Sequence, residues 1–278
     1  MRSKRNAFAA FLAVWTLLLS ACGQPENSGD PARSSTAPAY SLTLTEVQGE
    51  YQGKDGAEAA SYRFQRPSLA VTNPEELSEE DRETAQRSAD QFNRRMQEEL
   101  DAAAAEGKVM GEDVLARLDE GLEPPMPYYE ETDASWWMGG DIISVRLDWS
   151  AYTGGAHPNY AVSGRTFSLA LGQFIDPIQI ADDPLWFQQE VSDLLIQKAE
   201  ALGEDYTGSY WSDYKTTICR WNQGAALFDG DGLTVIYSPY DLGPYAMGPV
   251  ELRASYDELS AFLGEGGRAA LGLPEETE

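Results

Sequence analysis

The hydrophobic period of this chain switches repeatedly between two and about 3.6, and those changes limit the folds open to it. Leu42 and Leu44 alternate with polar neighbours, so strands are expected at 40–49 and within 60–72. At Asn73-Pro74 the period lengthens. Ala85, Ala89, Phe92, Met96 and Leu100 recur three or four apart, which places them on one face of a long helix from Pro74 to about Glu106, with Gly107 as its stop. A shorter helix is expected at 112–120. The run Pro124-Pro125-Met126-Pro127 breaks the helical pattern, and a period of two returns. Within Asp141–Trp149, Ile143, Val145, Leu147 and Trp149 share one side of a strand, and Tyr160–Leu169 reads as two strands about a Ser163-Gly164 turn. Phe187, Val191, Leu194, Leu195 and Ala199 predict a helix over 185–202. A hairpin (225–228 and 233–237), a strand at 250–254 and a helix over 255–263 complete the pattern. Hairpins outnumber crossover units, so the expected class is α+β with a mainly antiparallel sheet and packed helices.

The N-terminus has its own logic. Arg2, Lys4 and Arg5 precede an apolar run from Ala7 to Leu19 that is too short to span a bilayer as a stable helix. The tetrad Leu19-Ser20-Ala21-Cys22 then looks like a bacterial lipobox, in which the cysteine thiol is lipidated and the bond before it is cut. Two or three acyl chains anchor firmly where one alone would not. Residues 1–21 are thus expected to be a signal peptide, and 22–39 a lipidated cysteine and flexible tether reaching on the order of 20 Å. The rest divides into an N-terminal part of the domain at 40–123, a C-terminal domain at 124–264, and a frayed tail at 265–278. Gly23, rather than Asp, after the cysteine resembles the pattern of lipoproteins passed to an outer membrane. The expected location is the cell envelope, facing the periplasm where a cell has two membranes.

With Cys22 lipidated, only Cys219 remains, so no intramolecular disulfide forms and an apolar core must suffice. Ile218-Cys219-Arg220-Trp221 reads as a strand-like stretch with a buried, inert thiol. The chain carries 46 acids against 20 bases, a net charge of −26, and loss of the three N-terminal cations takes it to −29. Such a surface repels nucleic acid and anionic headgroups and suits a cationic partner.

One histidine, His157, removes two-histidine zinc sites, and no C-x-x-C, G-x-S-x-G, Walker or dinucleotide motif occurs. Asp229-Gly230-Asp231-Gly232 reads as a hairpin turn rather than a calcium loop, because its twelfth position is Tyr240. No metal and no cofactor are expected, and no catalytic residue is nominated, although a pair of carboxylates is all that glycoside hydrolysis needs. His157 follows two glycines and precedes Pro158, which restricts it to extended geometry; its role is a structural hydrogen bond, a partner contact or a general base. Tyr206, Tyr210 and Trp211 lie among Gly, Ser and Asp, where rings are more exposed than in a core. With His157 they form the candidate contact set.

Two stretches carry a family resemblance. YTGGAHPNY (152–160) and LFDGDGLTVIYSPYDLGPYAMGPVELRASYDEL (227–259) resemble the RsiV-like family, the extracytoplasmic domain of lysozyme-sensing anti-sigma factors that also occurs beside peptidoglycan deacetylase domains. The resembling elements are Gly154 to Pro158, Gly232 to Tyr237, Tyr240 to Gly248 and Tyr256 to Leu259, and the likeness covers about 138–262. The resemblance implies a non-catalytic binding module whose partner is a lysozyme-like muramidase or peptidoglycan. The competing expectation is a cell-wall hydrolase using a carboxylate pair.

Overall fold

A computed structural model describes residues 36–122, 126–203, 206 and 208–274. The expected signal peptide, Cys22, most of the expected tether, Pro124-Pro125 and the last four residues of the expected tail lie outside the described residues. The described chain is α+β, as its sequence periods require: four helices and two sheets, mostly antiparallel.

Long alternating runs make β1 (Tyr40–Gln52) and β2 (Glu58–Val71) an antiparallel hairpin, paired from Tyr40↔Val71 to Tyr51↔Ala60. The chain then enters α1 (Glu79–Asp119), whose cap is Ser78 accepting from the Asp81 amide. After α1 comes β3 (Tyr128–Gly139), which lies parallel to β2, followed by the antiparallel strands β4 (Ile142–Tyr152), β5 (Asn159–Ser168) and β6 (Gln173–Ile175). The six strands stand in chain order in one sheet. Parallel neighbours need a crossover connection, and α1 supplies it.

The expected helix is longer than its sequence pattern suggested. It runs through Gly107 and absorbs the separate segment expected at 112–120, giving 41 residues, about 60 Å of helix. Gly107 does not stop it because tertiary packing has a use for that glycine. The Tyr62 ring lies between Gly49 and Gly107, and Tyr51 presses on Gly111. The buried stripe continues in steps of three and four from Ala85 through Phe92, Met96, Leu100 and Ala104 to Val114.

β3 is a strand that periodicity does not reveal. Its residues mix Tyr, Glu, Thr, Ser and Trp on both faces, because one face meets α1 while much of the other is open and polar. Residues 163–164, expected as a turn, are continuous strand within β5. Gly164 is there for another reason: a Cβ would stand 2.7 Å from the Ala226 carbonyl oxygen, so the glycine lets a second sheet approach.

That second sheet is β7 (Ala225–Phe228), β8 (Gly232–Tyr237) and β9 (Val250–Ser255), all antiparallel. Its two faces divide by alternation. Ala225, Leu227 and Ile236 pack on Val162 of β5, while Phe228, Leu233, Val235 and Tyr237 face α2 (Pro184–Ala201). Phe187, Val191, Leu195 and Ala199 of α2 are fully buried there. Two hydroxyls tie the sheets together: Ser144 Oγ accepts from Phe228 N and Ser238 Oγ from Val162 N, each at 3.0 Å.

Two further readings change. Cys219 follows a short helix, α3 (Tyr214–Ile218), rather than lying in a strand, and it is exposed. Ile218 and Trp221 are buried three residues apart, a helical spacing that β-prone Thr and Ile conceal. The tail does not fray at Gly264. α4 (Tyr256–Ala270) kinks there, where φ is 71°, then resumes, with Asp182 accepting from the Gly266 amide at 3.4 Å and Leu271 buried beyond it.

Replacing Gly107 by Ala is expected to destabilise the fold by up to about 2 kcal/mol, since overpacking costs ~1–3 kcal/mol and better helix propensity returns only ~1 kcal/mol. The added methyl would stand 2.6 Å from Cγ at the base of the Tyr62 ring, which cannot swing away cheaply. Urea unfolding checks this; an unchanged midpoint would show that Tyr62 can yield.

Candidate functional site

The loop between β4 and β5 is set by two successive glycines. Gly154 and Gly155 have φ of 100° and 105°, a region that favours glycine. The Tyr152 hydroxyl donates to the Gly155 carbonyl at 3.1 Å and folds the loop back on its strand. Pro158 then fixes the approach of His157, whose ring stacks on Tyr245 with centroids 3.8 Å apart and planes 19° off parallel. The Tyr245 hydroxyl donates to the Pro158 carbonyl at 2.7 Å. His157 Nδ1 lies 2.9 Å from the same oxygen and donates to it when protonated there.

Tyr245 belongs to the long loop between β8 and β9. Tyr240 in that loop has φ of 77°, which no other described non-glycine residue shares. Its ring lies 5.6 Å from that of Tyr245. Trp211 buttresses the strained residue: its backbone amide donates to the Leu242 carbonyl at 2.8 Å, and its indole Nε1 donates to the Tyr240 carbonyl at 3.1 Å. Tyr210 packs on Tyr214 behind it, with centroids 4.7 Å apart and planes tilted by 33°, and burial raises its hydroxyl pKa. Tyr206 is joined through its carbonyl, which accepts from the Ser209 amide. The sequence candidates His157, Trp211, Tyr210 and Tyr206 thus fall along one series of contacts. Tyr240 and Tyr245 join that series, although no periodic signal marks them. The motif Tyr240 to Gly248 contained both, but only the fold shows them beside His157. Tyr240, Trp211 and Tyr206 are 56%, 43% and 40% exposed, so their rings face solvent.

An acidic groove adjoins this loop at the same end of β3 and β4. Tyr128 connects the two, with its hydroxyl against Gly154 and its ring edge-on to Tyr152 at 5.9 Å. The groove, about 760 Å³, is lined by Glu50, Glu58, Glu131 and Arg63 among others. Arg63 is the cation at its centre, 2.8 Å from Asp133, 3.1 Å from Glu131 and 3.6 Å from Glu46. Carboxylates outnumber it, so the groove is an electronegative trough. Farther along this face Asp148 takes two bonds from Arg146 at 2.8 Å each and one from the Tyr160 hydroxyl at 2.9 Å. Burial pulls the Asp148 pKa up, but those hydrogen bonds outweigh it and hold the carboxyl below its ordinary value. Asp229 and Asp231, in the turn that superficially matched a calcium loop, are both paired with Arg253. No group of three or more His, Cys, Asp or Glu suited to a metal occurs among the described residues.

Residues 188–257, from α2 to the start of α4, match the family described as a protein of unknown function, DUF3298. The fold is shared more widely than that segment. A crystal structure of a DUF3298 family member from Bacteroides fragilis superposes with a TM-score of 0.59 at 16% identity, covering 85% of this chain and 98% of the other. A DUF3298 family protein from Pseudomonas aeruginosa gives a TM-score of 0.49 at 14% identity, over 86% and 98%. No curated protein matches. The DUF3298 segment holds the Trp211 and Tyr240 side of the aromatic cluster, while His157 and the acidic groove lie before it. No helix among the described residues is long and apolar enough to cross a membrane.

Positive φ at a bulky residue costs on the order of 1–3 kcal/mol, and glycine escapes most of it. Tyr240→Gly is therefore expected to leave the melting temperature unchanged or raise it by a few degrees, read by circular dichroism. A fall of more than about 5 °C, a packing-sized loss, would make Tyr240 a core residue instead of a displayed one.

Proposed function

We propose that this is a lipid-anchored cell-envelope protein whose folded part is a non-catalytic binding module for a basic, lysozyme-like muramidase or, as the second reading, a cell-wall component. One observation carries the reading. A solvent-facing aromatic loop, held with Tyr240 in an unfavourable backbone conformation, adjoins a groove where carboxylates outnumber a single arginine. Strain of this kind persists where display of a side chain repays it. Aromatic anchors beside unmatched negative charge suit a cationic protein surface. The RsiV-like resemblance of 138–262 points to the same partner class, and the anchor rests on the lipobox-like Leu19–Cys22.

The charge should act on association and the rings on residence. At low salt, steering is expected to speed encounter with hen lysozyme by roughly ten- to a thousandfold. Added salt should slow association far more than it speeds dissociation. Trp211→Ala should do the reverse, chiefly shortening the lifetime of the complex. Surface plasmon resonance reads both rates. A cytochrome of equal basicity binding as tightly would reduce the interaction to charge adhesion, and no binding by either would remove the muramidase as partner. Release of reducing ends from purified wall fragments would favour the hydrolase reading. For the anchor, Cys22→Ser is expected to give a protein without lipid, detected by failure to incorporate labelled palmitate; labelling equal to the parent would refute the lipobox.

A further inference from the structure

In so acidic a chain, one place gathers arginines. Arg66 of β2, Arg95 of α1 and Arg165 of β5 meet on the face of the large sheet that α1 covers, and Arg94 of α1 lines a cleft with Arg66. Glu99 of α1 is shared among three of them, with Oε atoms 3.7 Å from Arg66 Nε, 2.9 Å from Arg95 Nε and 3.3 Å from Arg165 Nε. Asp90, a carboxylate lining the adjoining cleft, accepts a bond from Gln86 at 2.9 Å. In the cleft beside this cluster, Arg66 and Arg94 are the cations and Asp90 the one carboxylate among its lining residues.

Arg66 is the unusual member. It is only 8% exposed, and its Nε is buried with no hydrogen-bond partner among the described residues. Its Nη1 donates to the neighbouring Gln65 carbonyl at 2.7 Å. Arginine cannot shed its charge to escape burial, and a buried charged donor without an acceptor is costly. Beside it opens a cleft of about 500 Å³ between α1 and the β1–β2 hairpin. Thr45, the cross-strand partner of Arg66, offers a hydroxyl on its wall, while the Ser68 hydroxyl donates to Asn93 Oδ1 at 3.3 Å. Arg94 stands exposed in the same cleft and makes no ion pair with a described residue. Asn93 is committed elsewhere, its amide bonded to the Leu69 backbone at both N and O, so it holds the wall.

We propose that this cleft binds an oxyanion, a carboxylate or a phosphate, carried on a larger ligand, with Arg66 and Arg94 as its donors. Guanidinium forks match both groups geometrically. The volume far exceeds the ~30 Å³ of one water, so the cleft has room for more than a bare ion. It lies on the opposite face of the sheet from the acidic groove and does not depend on the partner proposed above.

Isothermal titration of the intact protein at fixed ionic strength, with inorganic phosphate and with acetyl-D-alanyl-D-alanine, separates the two sources of the oxyanion. Binding of either that Arg94→Gln weakens by about tenfold or more, the loss expected for one charge-assisted bond, supports the cleft. Phosphate alone would assign a phosphoryl ligand, and the peptide alone a carboxylate. Arg66→Lys, which keeps the charge but loses the fork, is expected to weaken the same ligand. Should that variant fail to fold, Arg94→Gln decides by itself, because Arg94 is exposed. No heat with either compound at millimolar concentration, or binding that these variants leave unchanged, overturns the proposal.

Discussion

The burial of one stripe of α1 against the large sheet is the interaction on which the rest depends. β2 and β3 are parallel neighbours, so the chain between them must return along the sheet, and α1 is that return. Phe92, Met96 and Leu100 fill the space over β2 to β5, each contributing about 1.5–3 kcal/mol as a buried apolar side chain. Toward its C-terminal end the stripe changes character. Gly107 and Gly111 replace large residues because Tyr62 and Tyr51 already occupy the gap from the sheet side. Volume is conserved, but the bulk has moved to the strands.

Two faces follow from this arrangement, and they differ in what they can bind. The α1 side is mainly apolar, broken by the Asn93 and Ser88 bonds to the Leu69 and Leu169 backbone and by Glu99, which draws Arg66, Arg95 and Arg165 together. The other side is divided. Its β4–β5 portion is covered by the small sheet, which comes close because Gly164 presents no side chain to Ala226. Its β1–β3 portion is left open, and there Arg63 sits among more carboxylates than it can neutralise. The same docking of the small sheet brings the loop after β8 to the loop after β4, so Tyr245 meets His157.

Much of the fold was legible because hydrophobic period is a local property. Leu185–Leu202 was readable as a helix from its four-residue spacing, and the hairpin around Asp229–Gly232 from its alternation and turn residues. Glycines were the weak point. Gly107, read as a stop, and Gly164, read as a turn, each serve a close approach by a distant segment, which no neighbouring residue announces. β3 escaped notice for a related reason, since the two environments that explain its mixed faces exist only after folding.

The sequence by itself determined the α+β class, the main amphipathic faces, the large negative charge and the aromatic content of the loops, because each is a sum over local residues. Tertiary structure decided which of those residues act together. His157 and Tyr245 are 88 residues apart and stack only because two sheets close over Gly164. Arg66 and Arg165 share a carboxylate only because α1 crosses between their strands. Contacts of that separation are set by the order of strands in the sheet and the path of the crossover helix, and neither is written in any local stretch of the chain.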